Sequence, residues 1–392
     1  MATNSESTHQ SCCREEGVKI KAAVLTRSDT HPPYAESRPL EVREVELQPP
    51  GRGEVLIRVA AAGVCHSDLS VIDGTRPRPI PMVLGHEASG YVEACGEGVE
   101  DLKPGDQVVC IFAPGCGGCG PCAEGRPALC EPAAQRSGAG ELLTGERRLS
   151  LGEIPVNHHV GVSAFAEYAV VARQSILKVE QPLEPHLAAL FSCAVLTGAG
   201  AVFNTAQVRP GSTVAVVGLG GVGLAALLGA LAAGAGRVIA VDRLDSKLEA
   251  ALSLGATDVF LANDDCIEAV REATRGGVDY AIEMAGSVQA LLLAYEITRR
   301  GGTTVTGGLP HPDARLPLPA LKLVGEERTL KGSYIGSCVP KRDLPRMFAL
   351  YHRGLMPVEK LLTHRLPLED INLAMDRLRE GTAIRQVVDF PV

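Results

Sequence analysis

The chain is predicted to be an α/β protein in two parts, a β-rich lobe and a doubly wound parallel sheet, and three features predict it. Short apolar runs punctuated by Gly, Pro and Asp fill residues 19–170, and strand and helix signals alternate after Pro182 and Pro185. A glycine fingerprint, Gly218-Leu-Gly220-Gly221-Val222-Gly223, lies between the first strand and the first helix of that alternation.

Residues 1–18 are polar and lack an apolar signal core, so they are expected to form a disordered extension, with the first strand over 19–25. The runs KAAVL, EVLIRVAAAG, ASGYVEAC and DQVVCIF then read as strands between turns. Beyond Pro185, VAVVG, RVIAVD, DVFLA, VDYAIEM, TTVTGG and LKGSYIG read as six parallel strands with helices between them. The end of the chain reads as helices over about 342–353 and 368–379 and a closing strand over 385–390. The uncharged run 213–236 is long enough to span a bilayer, but its opening TVAVV and its internal glycines fit a buried strand, turn and helix.

At 392 residues and 45% hydrophobic, the chain can bury a large core. Its net charge of -8 argues against nucleic acid or an anionic membrane as partner and in favour of a small ligand. Twelve cysteines without a secretory signal imply a reducing, cytoplasmic compartment, where metal binding explains clustered thiols better than disulfides do. Cys116, Cys119, Cys122 and Cys130, in a glycine-rich stretch, have the spacing of a tetrahedral structural zinc site with no position left for substrate. Cys12, Cys13, Cys95, Cys110, Cys266 and Cys338 carry no chemistry that the sequence identifies.

The fingerprint glycines have separate tasks. Gly218 permits the tight turn, Gly220 lets a pyrophosphate approach the backbone, Gly223 lets helix pack on strand, and the helix N-terminus favours phosphate. Asp242, at the end of the next strand, suits hydrogen bonds from an adenosine ribose and repels a 2'-phosphate, which favours NAD over NADP; Arg243 beside it works the other way. An open metal site is offered by Cys65 in GVCHSD, His86 in GHE and Cys193, each adjoining a predicted strand or the start of the nucleotide-binding half.

Taken together, the zinc lobe, GVCHSD, GHE, the mid-chain cysteine and GLGGVG with its acid resemble the zinc-dependent alcohol dehydrogenases of the medium-chain dehydrogenase/reductase family in order and spacing, over nearly the whole chain. The resemblance implies a GroES-like catalytic domain of residues 19–194 and 336–392, with its zinc lobe at 116–130. A Rossmann NAD-binding domain of 195–335 would be inserted between. It implies two zinc ions per chain, the catalytic one on Cys65, His86 and Cys193, a Cys2His set that is the family's own. Glu87 would stand behind the metal, Asp68 would orient His86, and Ser67 would hold the substrate hydroxyl. His66 and Arg385 resemble contacts to the cofactor pyrophosphate, Lys247 a contact near its ribose, Thr197 part of the nicotinamide pocket and Phe112 a wall of the substrate pocket. A homodimer or homotetramer is also implied.

The expected reaction is reversible hydride transfer between an alcohol and NAD, with zinc as Lewis acid. The chain departs from the family at Ser70, where many members carry the histidine that ends a proton relay; a serine is no base at neutral pH. For substrate, a primary or aromatic alcohol is expected. The alternative, S-(hydroxymethyl)glutathione, is disfavoured because the loop before GHE carries Arg76 and Arg78, whereas that branch uses acids there to hold an ammonium.

Overall fold

The computed structural model describes residues 17–391, so most of the expected N-terminal extension, with Cys12 and Cys13, lies outside the described residues. Strand Val18–Leu25 opens one residue sooner than expected and pairs antiparallel with Leu40–Leu47. With Leu149–Leu151, Ile154–His158 and Met82–Val83 they close a small barrel, filled by Ile20, Ala22, Val24, Val45, Leu47 and Val156.

The second sheet builds the site. Its central strand, Glu54–Gly63, is buried at all but one position, Arg58, which is why its sequence is mostly apolar and not an alternation. It pairs with Glu87–Cys95, Tyr168–Ala172 and Arg385–Asp389. Gly63 lies opposite Glu87 and also opposite Val387. This register sets the residues after Gly63, those before Glu87 and those before Val387 at one end of the sheet. A Cβ on Gly63 would lie 2.4 Å from Glu87 Oε2, so only glycine permits that approach.

The third sheet has six parallel strands, in spatial order Asp258–Leu261, Arg237–Asp242, Thr213–Val217, Val278–Glu283, Thr298–Thr306 and Thr329–Gly332. Strand order reverses beside Thr213–Val217, and ligands bind such sheets at the carboxyl ends of the strands flanking that point. The run 213–236 resolves, as expected, into a strand, a glycine turn and the helix Gly221–Ala232. A helical stretch, Pro185–Ala206, is also long and apolar enough to cross a membrane, but 83% of its most apolar window is buried inside the protein. It crosses Gly221–Ala232 closely, since a Cβ on Gly198 would lie 2.2 Å from the Val222 carbonyl oxygen. The helices Pro340–His352 and Ile371–Glu380 precede the closing strand, and a strand the sequence did not announce, Leu362–Leu366, pairs parallel to it.

Candidate active site

Cys65 caps the helix His66–Ile72, whose third residue, Asp68, accepts from the Cys65 N–H at 3.3 Å. The other Asp68 oxygen accepts from the Gly85 N–H at 3.0 Å and lies 3.3 Å from His86 Nδ1. One carboxylate therefore ties together the two segments that carry Cys65 and His86. Cys193 arrives from the Pro185–Ala206 stretch, within a π-helical turn, Phe191–Val195; such turns are frequent at functional sites. Thr197 follows Cys193 by one turn and is buried on the same face.

The ligand atoms of Cys65, His86, Glu87 and Cys193 all lie within 4.8 Å of one another, and all four residues are buried. His86 Nε2 has no hydrogen-bond partner, while its Nδ1 is held by Asp68. Two sulfurs and an orphaned imidazole nitrogen in an enclosed space fit a zinc ion with an open position. The local field points the same way. Burial opposes charge on His86, but Asp68 and Cys65 outweigh it and favour the cationic ring, so this pocket attracts positive charge. Burial pushes Asp68 up, yet His86 and His159 more than offset this and hold its carboxyl well below the usual range. Glu87 is lifted by burial to about 7 against the pull of Arg385.

Arg385 donates a hydrogen bond to Glu87 Oε2 from full burial. Its Cδ would lie 2.1 Å from a Cβ on Gly221, so the same side chain touches the glycine turn. The sequence suggested a pyrophosphate contact here, and its pattern held no sign of Glu87 as a partner. Gly218 adopts φ +88° at the turn, and a Cβ on Gly223 would lie 1.8 Å from the Gly218 carbonyl oxygen. By contrast, a Cβ on Gly220 would meet nothing within 4 Å, leaving the space a phosphate needs. Asp242 accepts from the Leu219 N–H at 2.7 Å and from the Leu244 N–H at 3.1 Å, which fixes its carboxylate beside the turn. Lys247 sends its ammonium 2.9 Å to the Ala383 carbonyl, within electrostatic reach of Asp242.

Phe112 packs edge-on to His86 at 4.9 Å between ring centroids. Ser67 is half-buried, and its hydroxyl has no partner among the described residues. Ser70 donates to the His66 carbonyl at 2.9 Å, and His66 itself is exposed. Sequence reasoning missed His159, which is buried with Nδ1 3.1 Å from Asp68 Oδ1 and its ring 5.4 Å from His86. The only signal was the doubled histidine of NHHVG at a strand end.

Cys116, Cys119, Cys122 and Cys130 converge, their sulfurs within 4.8 Å of one another. The Cys119 and Cys130 sulfurs are 3.8 Å apart, close to the edge of a tetrahedron of about 3.8 Å that zinc–sulfur bonds of about 2.3 Å produce. The Gly118 and Cys119 N–H groups lower the Cys116 thiol to about 7. Cys95, Cys110, Cys266 and Cys338 belong to neither cluster; the Cys95 thiol donates to the Leu102 carbonyl and the Cys338 thiol to the Leu196 carbonyl.

Known proteins with this arrangement are numerous. Residues 51–181 match the alcohol dehydrogenase GroES-like domain model, and residues 221–353 match the zinc-binding dehydrogenase model. S-(hydroxymethyl)glutathione dehydrogenase of Escherichia coli O6:H1 is 38% identical over 378 residues, covering 95% of this chain and all of the relative. The solved structure of an alcohol dehydrogenase zinc-binding domain protein from Burkholderia ambifaria superposes with a TM-score of 0.90 at 34% identity, over 96% of this chain and 100% of that one. Benzyl alcohol dehydrogenase from Acinetobacter calcoaceticus superposes at 0.89 and 34%, over 95% and 100%. The chain belongs to the zinc-dependent alcohol dehydrogenases of the medium-chain dehydrogenase/reductase family. It is an oxidoreductase of the alcohol dehydrogenase type.

Proposed function

We propose that this chain catalyses reversible hydride transfer between a primary or aromatic alcohol and NAD, with one zinc held by Cys65, His86 and Cys193 and a second by Cys116, Cys119, Cys122 and Cys130. The observation that carries the reading is Arg385: one buried side chain touches both Glu87, behind the ligand cluster, and Gly221, in the nucleotide-type turn. This shared contact supports a reading in which metal chemistry and a nicotinamide cofactor meet across one side chain.

Bound there, zinc supplies Lewis acidity toward the alcohol oxygen and NAD supplies the hydride acceptor. The remaining work belongs to the protein. Ser67, whose hydroxyl has no partner among the described residues, would hydrogen-bond the alcohol oxygen and relay its proton, giving up its own hydroxyl proton as it receives the substrate's. Ser70 cannot receive that proton as a base, and its own proton is committed to the His66 carbonyl. The proton then passes to solvent directly or by way of His66, an exposed residue. Phe112, packed edge-on to His86, would present apolar surface toward the reacting atoms. Asp242 selects NAD by occupying, with negative charge, the place where a 2'-phosphate would sit. The protein works in the cytoplasm as a homodimer or homotetramer.

The similarity to an S-(hydroxymethyl)glutathione dehydrogenase supports a second substrate reading. Arg76 and Arg78 count against it, since they put two cations where an ammonium would have to bind. A spectrophotometric screen of NAD reduction with short, branched, aromatic and hydroxymethylglutathione substrates tests both. An aromatic or primary alcohol should give the highest kcat/KM. Highest turnover with the glutathione adduct would replace the first reading by the second, and no NADH from any alcohol would overturn both.

A further inference from the structure

His159 is buried, and its ring meets the ligand cluster in two ways. Its Nδ1 lies 3.1 Å from Asp68 Oδ1, off the straight line of a hydrogen bond, and has no other partner. Its ring stands edge-on to that of His86, with 5.4 Å between centroids and 85° between planes. Asp68 Oδ1 thus faces three nitrogens, the Gly85 N–H at 3.0 Å, His86 Nδ1 at 3.3 Å and His159 Nδ1 at 3.1 Å. A carboxylate only accepts, so both imidazoles turn a protonated Nδ1 toward it, and His86 keeps its Nε2 lone pair for a metal.

The segment that presents His159 is strained. Val160 (φ +45°), Gly161 (φ +71°) and Ser163 (φ +58°) all adopt left-handed backbone conformations directly after it. A β-branched residue is an outlier there, and such strain persists only where the surroundings fix it, most often at functional sites. Here the fixing bonds are visible. The His159 N–H donates to Ser163 Oγ at 2.9 Å, and that hydroxyl donates to the Val83 carbonyl at 2.8 Å. The Ala164 and Phe165 N–H groups donate to the Gly85 and Leu84 carbonyls at 2.9 and 3.0 Å. The turn is therefore strapped to residues 83–85, which lead directly into His86, and the two histidines ride on one hydrogen-bonded unit.

We propose that His159 is a positioning residue for the catalytic metal. Its Nδ1–H steadies the Asp68 carboxylate, its ring limits the rotation of the His86 imidazole, and Nε2 of His86 is thereby kept free for the ion. A buried carboxylate that loses one donor is left under-compensated, and it would draw His86 and the two backbone N–H groups from their places. The inference rests on the assignment of a zinc ion to Cys65, His86 and Cys193 made above.

The test follows zinc release from the zinc-loaded protein to a chromogenic chelator in His159→Asn, His159→Gln and His159→Phe. The Asn amide nitrogen falls near the place of Nδ1, the Gln amide nitrogen nearer that of Nε2, and Phe keeps the edge-on ring without a donor. Release of the more labile zinc should quicken by about tenfold in the Phe and Gln variants and by less than about threefold in the Asn variant. Release of the zinc on the four clustered cysteines should not change. In an Asp68→Asn background, His159→Phe should add less than about twofold, because its effect passes through Asp68. Parental release in both the Phe and Gln variants, equal acceleration in Asn and Gln, or full additivity with Asp68→Asn overturns the inference while the zinc assignment stands. If His159→Phe does not fold, the contrast between Asn and Gln decides alone. A parent that holds no zinc more labile than the one on the four cysteines overturns both.

Discussion

Asp68 accepts from the N–H groups of Cys65 and Gly85 and orients His86, so a single carboxylate spans both ligand-bearing segments. Asp68→Asn keeps the shape but replaces one acceptor oxygen by a donor facing His86 or a backbone N–H. Loss of a partner behind a metal-bound histidine typically costs about tenfold to a hundredfold in metal affinity. Release of the more labile zinc to a chromogenic chelator should accelerate accordingly, and an unchanged rate would remove Asp68 from this role. At the cofactor end, Asp242→Ser should raise kcat/KM with NADP relative to NAD, since it removes both the ribose acceptor and the charge that repels a 2'-phosphate. An unchanged ratio would mean that the acid does not face the ribose. Ser70 is a third residue with a testable role. A histidine there should speed hydride-coupled proton release below about pH 7 by no more than about a hundredfold, read in pre-steady-state traces. Slower reaction at every pH would show that the proton leaves by another route.

The glycine turn separates two kinds of necessity within one element. A methyl on Gly220 enters open space, whereas one on Gly223 collides with the Gly218 carbonyl. Gly220→Ala should therefore leave the melting temperature within about 2 °C of the parent yet weaken NADH binding by about tenfold or more, measured by NADH fluorescence. Gly223→Ala should lose stability and binding together. If Gly220→Ala binds NADH as the parent does, the pyrophosphate is not at this turn. Elements of this kind were legible because their pattern is local: strand, fingerprint and helix follow one another without interruption. The π-helical turn around Cys193 was not legible, since nothing in FSCAVLTG distinguishes it from an ordinary helix. Leu362–Leu366 escaped for a different reason. LTHRL alternates weakly and gains its strand character only from pairing beside Arg385–Asp389. The Arg385 to Glu87 pair joins residues far apart in the sequence through sheet register, which no local pattern records.

At the scale of the whole molecule, one buried histidine ties stability to pH. His158 accepts from the Arg148 N–H through Nε2 at 3.1 Å, and burial, helped by Arg147 and Arg148, depresses its pKa to about 3. The folded protein thus refuses a proton that the unfolded chain takes up below about pH 6.5, so the contribution is complete above that pH and is lost as pH falls toward 3. Each unit of pH in that window costs up to about 1.4 kcal/mol. The melting temperature of His158→Gln should fall less steeply than that of the parent between about pH 6.5 and pH 4.5; parallel slopes would contradict this.

The two cysteine-bearing clusters differ in make-up, four sulfurs in one and two sulfurs, an imidazole and the Glu87 carboxylate in the other. The most direct test of the account is a count of zinc in freshly purified, active protein, followed through timed exposure to a chelator. Two ions per chain are expected, the one on Cys65, His86 and Cys193 leaving sooner, with loss of NAD reduction in step with its release and recovery on adding zinc. A single tightly held zinc in fully active protein, or activity that survives removal of the more labile ion, would contradict it.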